Sequence, residues 1–162
     1  MKAKWIWNQA NYQNDEYCEF ISEFNSTTGS VKLNISADSN YAIYLNGRYI
    51  EASQYASFPY EPVMDSLNLK AKKGHNILKI LVHYNGGETF STYYKDLPGL
   101  YFELYENNEL ILVSDENVKS HLSVCYQNHL MLQISPQLGY TFAYDAKNEV
   151  SIFVHFNTIS VF

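Results

Sequence analysis

An antiparallel all-β sandwich is the fold class this sequence predicts, and three observations carry that reading. Apolar and polar residues alternate with period two in run after run. Tight-turn pairs, Asn46-Gly47 and Asn107-Asn108, interrupt runs of branched and aromatic residues. Aromatics make up 16% of the chain, with 15 Tyr and 9 Phe, a composition that suits half-buried strands.

The elements follow in order. "EYCEFISEF" (16–24) places Cys18, Phe20 and Phe24 on one face, with Glu19 and Glu23 on the other. "SVKLNISA" (30–37) sets Val31, Leu33, Ile35 and Ala37 against Lys32, Asn34 and Ser36. "YAIYLNGRYI" (41–50) is a hairpin, because Asn-Gly supplies two residues with φ > 0 for a type I′ turn. "NILKILVHY" follows the turn Gly74-His75-Asn76 and reads as a central strand over 77–83. Asp65 precedes a strand and is placed to cap a turn through an Asx bond. "GLYFELYENNELILVS" (99–114) is a second hairpin. In "DENVKSHL" one turn with Asp115 as its cap is expected. Later strands are expected at "HLSVCYQ", "HLMLQI" and "VSIFVHF". No amphipathic helix longer than two turns is expected. Two long loops remain, 52–64 and 85–98, and loops of that length are usually functional or covered by a partner.

Bulk properties exclude several classes. The 162 residues fit one domain, and 46% apolar against 17% charged residues supports a packed core. The formal net charge is −6, and no basic cluster exceeds Lys70, Lys72 and Lys73. Nucleic-acid binding needs a positive field along the phosphates, so it is set aside. No stretch is apolar enough to span a membrane, and the N-terminus lacks a signal-peptide core. With Met1 as the native start, a cytoplasmic location is expected, and the sequons at Asn25 and Asn34 carry no meaning. Cys18 and Cys125 form no CxxC pair and read as small buried hydrophobes. The apolar run up to Phe162 implies a piece of a longer protein, cut near a domain boundary.

Chemistry is sparse. Glycoside hydrolysis, for instance, needs two carboxylates flanking one bond. Asp38, Glu61, Asp65, Glu88, Asp96 and Asp145 all stand without a neighbouring base or orienting group. His75, His83, His121, His129 and His155 show no metal-ligand spacing, so neither a metal nor another cofactor is expected. A nucleophile elbow and a phosphate loop are absent. What remains is aromatic loops. Tyr55, Phe58 and Tyr60 lie in one; Phe90, Tyr93 and Tyr94 lie in the other. A flat ring covers the C–H face of a sugar, while Asn85, Glu88, Lys95 and Asp96 offer hydrogen bonds to its hydroxyls. The same rings equally suit burial against a catalytic part or a second subunit, since Tyr and Phe are enriched at interfaces.

The order of the pieces resembles a known family. "WIW" leads to "EYCEFISEF", then "ISADSNYAIYLNGRYI", then "FPYEPVMDSLNLKAKKGHNILKILVHYNGG", "GLYFEL" and "QLGYTFAYDA". This resembles the N-terminal region of bacterial α-L-rhamnosidase-type glycoside hydrolases, over roughly residues 5–146. "YxIYLNG" with a later "GxN" strand also occurs in jelly-roll domains of β-galactosidase-type enzymes; "QLGYTFAYDA" favours the rhamnosidase side. The resemblance implies a jelly-roll, galactose-binding-like sandwich over 1–146, with 147–162 beginning the next domain or completing a sheet. It also implies that the catalytic acids belong to a helical barrel downstream. The expected function is therefore a non-catalytic accessory sandwich whose partner is the downstream catalytic domain of the same polypeptide. The alternative is an autonomous carbohydrate-binding module using loops 52–64 and 85–98. An enzyme in its own right ranks third. The module reading predicts weak sugar binding, read by chemical-shift titration, that is lost in Tyr93→Ala and Tyr94→Ala; unchanged binding in both variants would remove these loops from consideration.

Overall fold

The computed structural model describes residues 1–54, 63–87, 97–129, 131–135, 138–151, 157–158 and 160–161. Two antiparallel sheets face each other, and a small two-stranded ribbon lies beside them. The first sheet orders β14 (Ser160–Val161), β1 (Ile6–Trp7), β8 (Gly99–Glu106), β3 (Ser30–Asp38) and β6 (Asp65–Lys70), with β9 (Glu109–Val113) also paired to β8. The second orders β13 (Asn157–Thr158), β10 (Lys119–Leu122), β2 (Glu16–Ser26), β7 (Gly74–Tyr84), β4 (Asn40–Leu45) and β5 (Arg48–Gln54). The ribbon pairs β11 (Gln133–Ser135) with β12 (Gly139–Tyr140). Among the described residues, no helix is long and apolar enough to cross a membrane.

Both expected hairpins form. Asn46 and Gly47 sit at φ 53° and 76°, and Asn107 and Asn108 at 51° and 66°, the paired left-handed conformations of type I′ turns. Asn46 also works as an anchor: its Oδ1 accepts the Ile77 amide at 3.0 Å, and its Nδ2 donates to Asn76 Oδ1 at 2.9 Å. Asn76, fully buried, closes the 72–76 turn by accepting the Lys72 amide and donating to the carbonyls of Lys72 and Gly74. Gly74 supplies φ 89° there. In the turn after β9, Asp115 accepts the Asn117 amide at 2.9 Å, as the sequence predicts. Asp65 starts β6, and its carboxylate accepts the Tyr41 hydroxyl at 2.5 Å, linking β6 to β4 of the opposite sheet.

Alternation then builds the core. Val31, Leu33, Ile35 and Ala37 of β3 meet Phe20 and Phe24 of β2, Ile43 and Leu45 of β4, and Leu78, Ile80 and Val82 of β7. Trp7 is fully buried, 5.7 Å from Phe20 and 6.2 Å from Tyr84 between ring centres. Each such side chain contributes about 1.5–3 kcal/mol relative to exposure.

Two later expectations need correction, and a third lies mostly outside the described residues. "HLSVCYQ" is strand only through Leu122; beyond it Tyr126 makes a single bridge to Tyr144. "HLMLQI" contributes strand only from Gln133. "VSIFVHF" begins inside a 3₁₀ turn over Ala146–Ser151, and 152–156 lie outside the described residues. In the tail, Lys119 pairs with Thr158 and Ile6 with Val161.

Where β2 crosses from one sheet to β3 in the other, the turn is held by the buried Glu106 carboxylate. The hydroxyls of Ser26, Thr27 and Thr28 donate to it at 2.5, 2.9 and 2.7 Å, and the amides of Thr27 and Thr28 at 3.1 and 2.9 Å. The Ser26 hydroxyl, then the Thr28 amide and hydroxyl and the Thr27 amide, hold the carboxyl well below the usual carboxylate range. A depressed native value stabilises the fold above the unfolded-state value of about 4.3, and the gain is lost as pH falls toward the native one. Glu106→Gln is therefore expected to melt lower than wild type at neutral pH, with the gap closing below about pH 4. Circular-dichroism melts across this range check it; a gap independent of pH would show that the charge is not what holds the turn.

Candidate functional site

Of the expected sugar-binding residues, Tyr55, Phe58, Tyr60, Glu88, Phe90, Tyr93, Tyr94 and Asp96 lie outside the described residues, as does Lys95. Asn85 is described, and it organises a loop. Its amide donates to Ser39 Oγ at 3.0 Å, its carbonyl accepts the Asp15 amide at 3.1 Å, and its Oδ1 accepts the Gly87 amide at 3.3 Å. Its neighbours Gly87 and Gly139 bring the β11–β12 ribbon close: a side chain at Gly87 would meet Gln133 and Tyr140, and one at Gly139 would meet Asn85 itself.

Instead, the described residues gather functional side chains on the outer face of the second sheet, the face turned away from the core. Register defines three rows across β2, β7, β4 and β5. One row is Tyr17, His83, Asn40; the next is Glu19, Leu81, Ala42, Ala52; the third is Ile21, Lys79, Tyr44, Tyr49. At its Tyr17 and Glu19 end this face is covered by the segment after β10. The Ser123 amide donates to the Tyr17 carbonyl at 2.7 Å, and the Tyr17 amide donates to Asn128 Oδ1 at 2.6 Å. Tyr126 then folds over the sheet and stacks on Tyr17 at 4.4 Å and 9°; the opposite face of Tyr17 stacks on His83 at 4.1 Å and 15°. With both faces covered, Tyr17 is a pillar rather than a platform. Burial, with the charge of Asp15 adding to it, pushes its phenol well above the usual value.

Two buried carboxylates sit beneath this cover. Asp15 lies 3.0 Å from His83 Nε2. Glu19, read from the sequence as outward, does point away from the core, yet is 2% exposed. Its Oε1 accepts the Ser123 hydroxyl at 2.8 Å, and its Oε2 lies 3.2 Å from Lys79 and 3.9 Å from His121. Burial drives the His121 imidazole below its ordinary value, against the pull of Glu19. Lys79 also stands 4.9 Å over the Tyr44 ring, a cation–π contact.

The middle row ends in two methyl groups. Ala42 and Ala52 face each other across β4 and β5, between rows that carry rings. The result is a hollow of about 260 Å³ lined by Tyr17, Asn40, Tyr41, Ala42, Ala52, Leu81, His83, Tyr126 and Phe142. Phe142 stands out beside it, 67% exposed, its ring 6.3 Å from that of Tyr126. "QLGYTFAYDA" contains Phe142 and Tyr144, but that stretch drew attention as a family marker rather than for its rings. The signal for Tyr17 and His83 was present in the alternation of their strands.

Candidate chemistry elsewhere is committed to structure. Asp38 accepts the Ser39 hydroxyl at 2.7 Å, Asp65 accepts Tyr41, and Asp145 accepts the Lys147 amide at 3.0 Å. Cys18 and Cys125 are buried free thiols, both pushed up chiefly by burial. Among the described residues no cluster of three or more His, Cys, Asp or Glu is arranged to hold a metal.

This architecture, two antiparallel sheets packed face to face, defines a jelly-roll-like β-sandwich. No family model matches the chain, and no curated protein does. Solved structures match throughout. A GH78-family rhamnosidase of Bacillus sp. GL1 superposes with a TM-score of 0.81 at 21% identity, over 99% of this chain and 18% of the enzyme. The α-L-rhamnosidase from Dictyoglumus thermophilum gives 0.72 at 16% identity, over 99% of this chain and 21% of that one. A Pleurotus ostreatus lectin gives 0.55 at 18% identity, over 88% and 41%. The likeness is one of fold, and the chain spans about a fifth of the length of those rhamnosidases.

Ser123→Ala removes a donor from a buried carboxylate. A destabilisation of about 1–3 kcal/mol is expected, measured by urea unfolding. An unchanged midpoint would mean that Lys79 and His121 suffice for Glu19.

Proposed function

We propose that the chain is a non-catalytic accessory sandwich of a rhamnosidase-type glycoside hydrolase, docking on the catalytic part of the same polypeptide. One observation carries the docking. In the β11–β12 ribbon, Gln133 and Tyr140 turn toward the Gly87 loop, and Leu132, Ile134 and Leu138 are left 81%, 57% and 71% exposed. Three strongly exposed aliphatic side chains within seven residues suit a surface that another surface covers. The fold comparison supports the accessory role, since the shared part is a small fraction of much longer enzymes. The engagement of Asp38, Asp65 and Asp145 in structural hydrogen bonds supports placing the catalytic acids elsewhere. In this reading residues 1–146 supply the sandwich and 147–162 completing strands.

A second reading, an autonomous carbohydrate-binding module, is favoured by the sandwich it shares with the Pleurotus ostreatus lectin, whose structure is also solved in complex with GalNAc. Hydrogen exchange separates the two. Under docking, amides of 131–141 are expected to exchange at least about tenfold more slowly when the chain is joined to the rest of its polypeptide than alone, equivalent to roughly 1.4 kcal/mol of protection. Equal exchange in both would sink the docking. The accessory role further expects a flat progress curve on an aryl rhamnoside with this chain alone, and turnover would overturn it.

A further inference from the structure

We propose that the hollow over Ala42 and Ala52 is a binding site for a single neutral pyranose ring. The proposal deepens the module reading and moves it from loops 52–64 and 85–98 to residues on the sheet. It is independent of docking, because Leu132, Ile134 and Leu138 are absent from the lining.

The hollow arises from register. Ala42 and Ala52 present only methyls, while the adjacent row of the same face carries Lys79, Tyr44 and Tyr49. Leu81, in line with Ala42, completes an apolar floor. Tyr126 is held in place by its stack on Tyr17, so the wall it forms is fixed before any ligand arrives. Phe142 lies 6.3 Å from it at 58°, and both rings line the hollow. At the opposite end stand Asn40 and His83, with His83 Nε2 oriented by Asp15 at 3.0 Å.

Chemistry narrows the occupant. At about 260 Å³ the volume lies just below the range of about 300–1,000 Å³ that takes drug-sized ligands; it has room for one ring rather than an oligosaccharide laid flat. No Asp, Glu, Lys or Arg is among its described lining residues, and a neutral ligand suits that lining. A wholly apolar ring would offer no hydrogen bond to the polar end of the lining, Asn40 and His83. A pyranose satisfies both ends: its C–H face lies on Phe142 and the methyl floor, and its hydroxyls reach the amide and imidazole. The large exposure of Phe142 is then the cost of keeping a stacking surface open.

The test is a ¹⁵N and aromatic ¹³C titration of this chain with L-rhamnose, D-galactose and N-acetylgalactosamine, with toluene as an apolar control. Expected are saturable shifts for at least one sugar at residues 40–42, 52, 81–83, 126 and 142. Phe142→Ala should weaken binding about five- to tenfold, the worth of one aromatic contact. Ala52→Leu fills the hollow from the edge strand without touching the core; its amide spectrum should stay folded and its shifts should vanish. Sugar shifts confined to 53–64 and 85–98, and undiminished in Ala52→Leu, would overturn the hollow and leave the module reading standing. No sugar shifts anywhere would fail both. Saturation by toluene alone would mark the hollow as a docking point for a protein side chain and overturn the proposal.

Discussion

The first half of strand β2, residues 16–20, is buried on both faces, and much of the molecule is arranged around that constraint. The strand's inner side chains, Cys18, Phe20 and Phe24, belong to the sandwich core. Its outer ones, Tyr17 and Glu19, are as deeply covered. A strand in that position cannot leave its polar groups to water, so each must find a partner in the protein. Glu16 takes the Trp7 indole at 3.1 Å and the Gln13 amide at 2.8 Å. Glu19 takes Ser123, Lys79 and His121, and Ser26 at the far end takes Glu106. The partners come from before β2, from β7, from β8 and from the segment after β10. Satisfying one strand thereby fixes the path of four others.

That arrangement explains which parts of the fold were legible in the sequence. Hairpins at Asn46-Gly47 and Asn107-Asn108 are local devices whose backbone demands only a few residue types can meet. Strands β3, β4 and β7 bury one face against the core, and alternation reports that directly. The outer cover on β2 left a weaker trace. Glu19 has the residue type of a solvated position, and only the later placement of Ser123, Lys79 and His121 makes it a buried one. The covering segment is irregular, tied down by Asn128 and by a ring stack rather than by a ladder, so no period announces it.

The same reasoning applies to the candidate site. Reading loops for exposed rings selected Tyr55, Phe58, Tyr60, Phe90, Tyr93 and Tyr94, by residue type and loop length. The hollow on the sheet depends on register instead: Ala42 opposite Ala52, with a ring wall delivered from residues 126 and 142, some 75 to 100 positions later. Alanine in a strand carries little propensity signal, and its value here is the space that it leaves. Absent side chains are visible only once neighbours are known. Asn85, chosen as a sugar ligand, holds together the loop that brings the β11–β12 ribbon alongside.

The hairpin that floors the hollow also ends the second sheet. Across β4 and β5, Ile43 opposes Glu51 while Tyr44 opposes Tyr49, so Ile50 is an extra residue and β5 is bulged there. A bulge bends the strand and sharpens its twist. The outermost row of free amides and carbonyls therefore does not run straight, and it carries Arg48 and Glu51 along its length. Straight, uncharged edges are the templates on which sheets of separate molecules add to one another. With Tyr49 60% and Ile50 39% exposed, an unbulged β5 would be such a template. The bulge therefore works against strand-to-strand joining of copies at this ring-bearing margin.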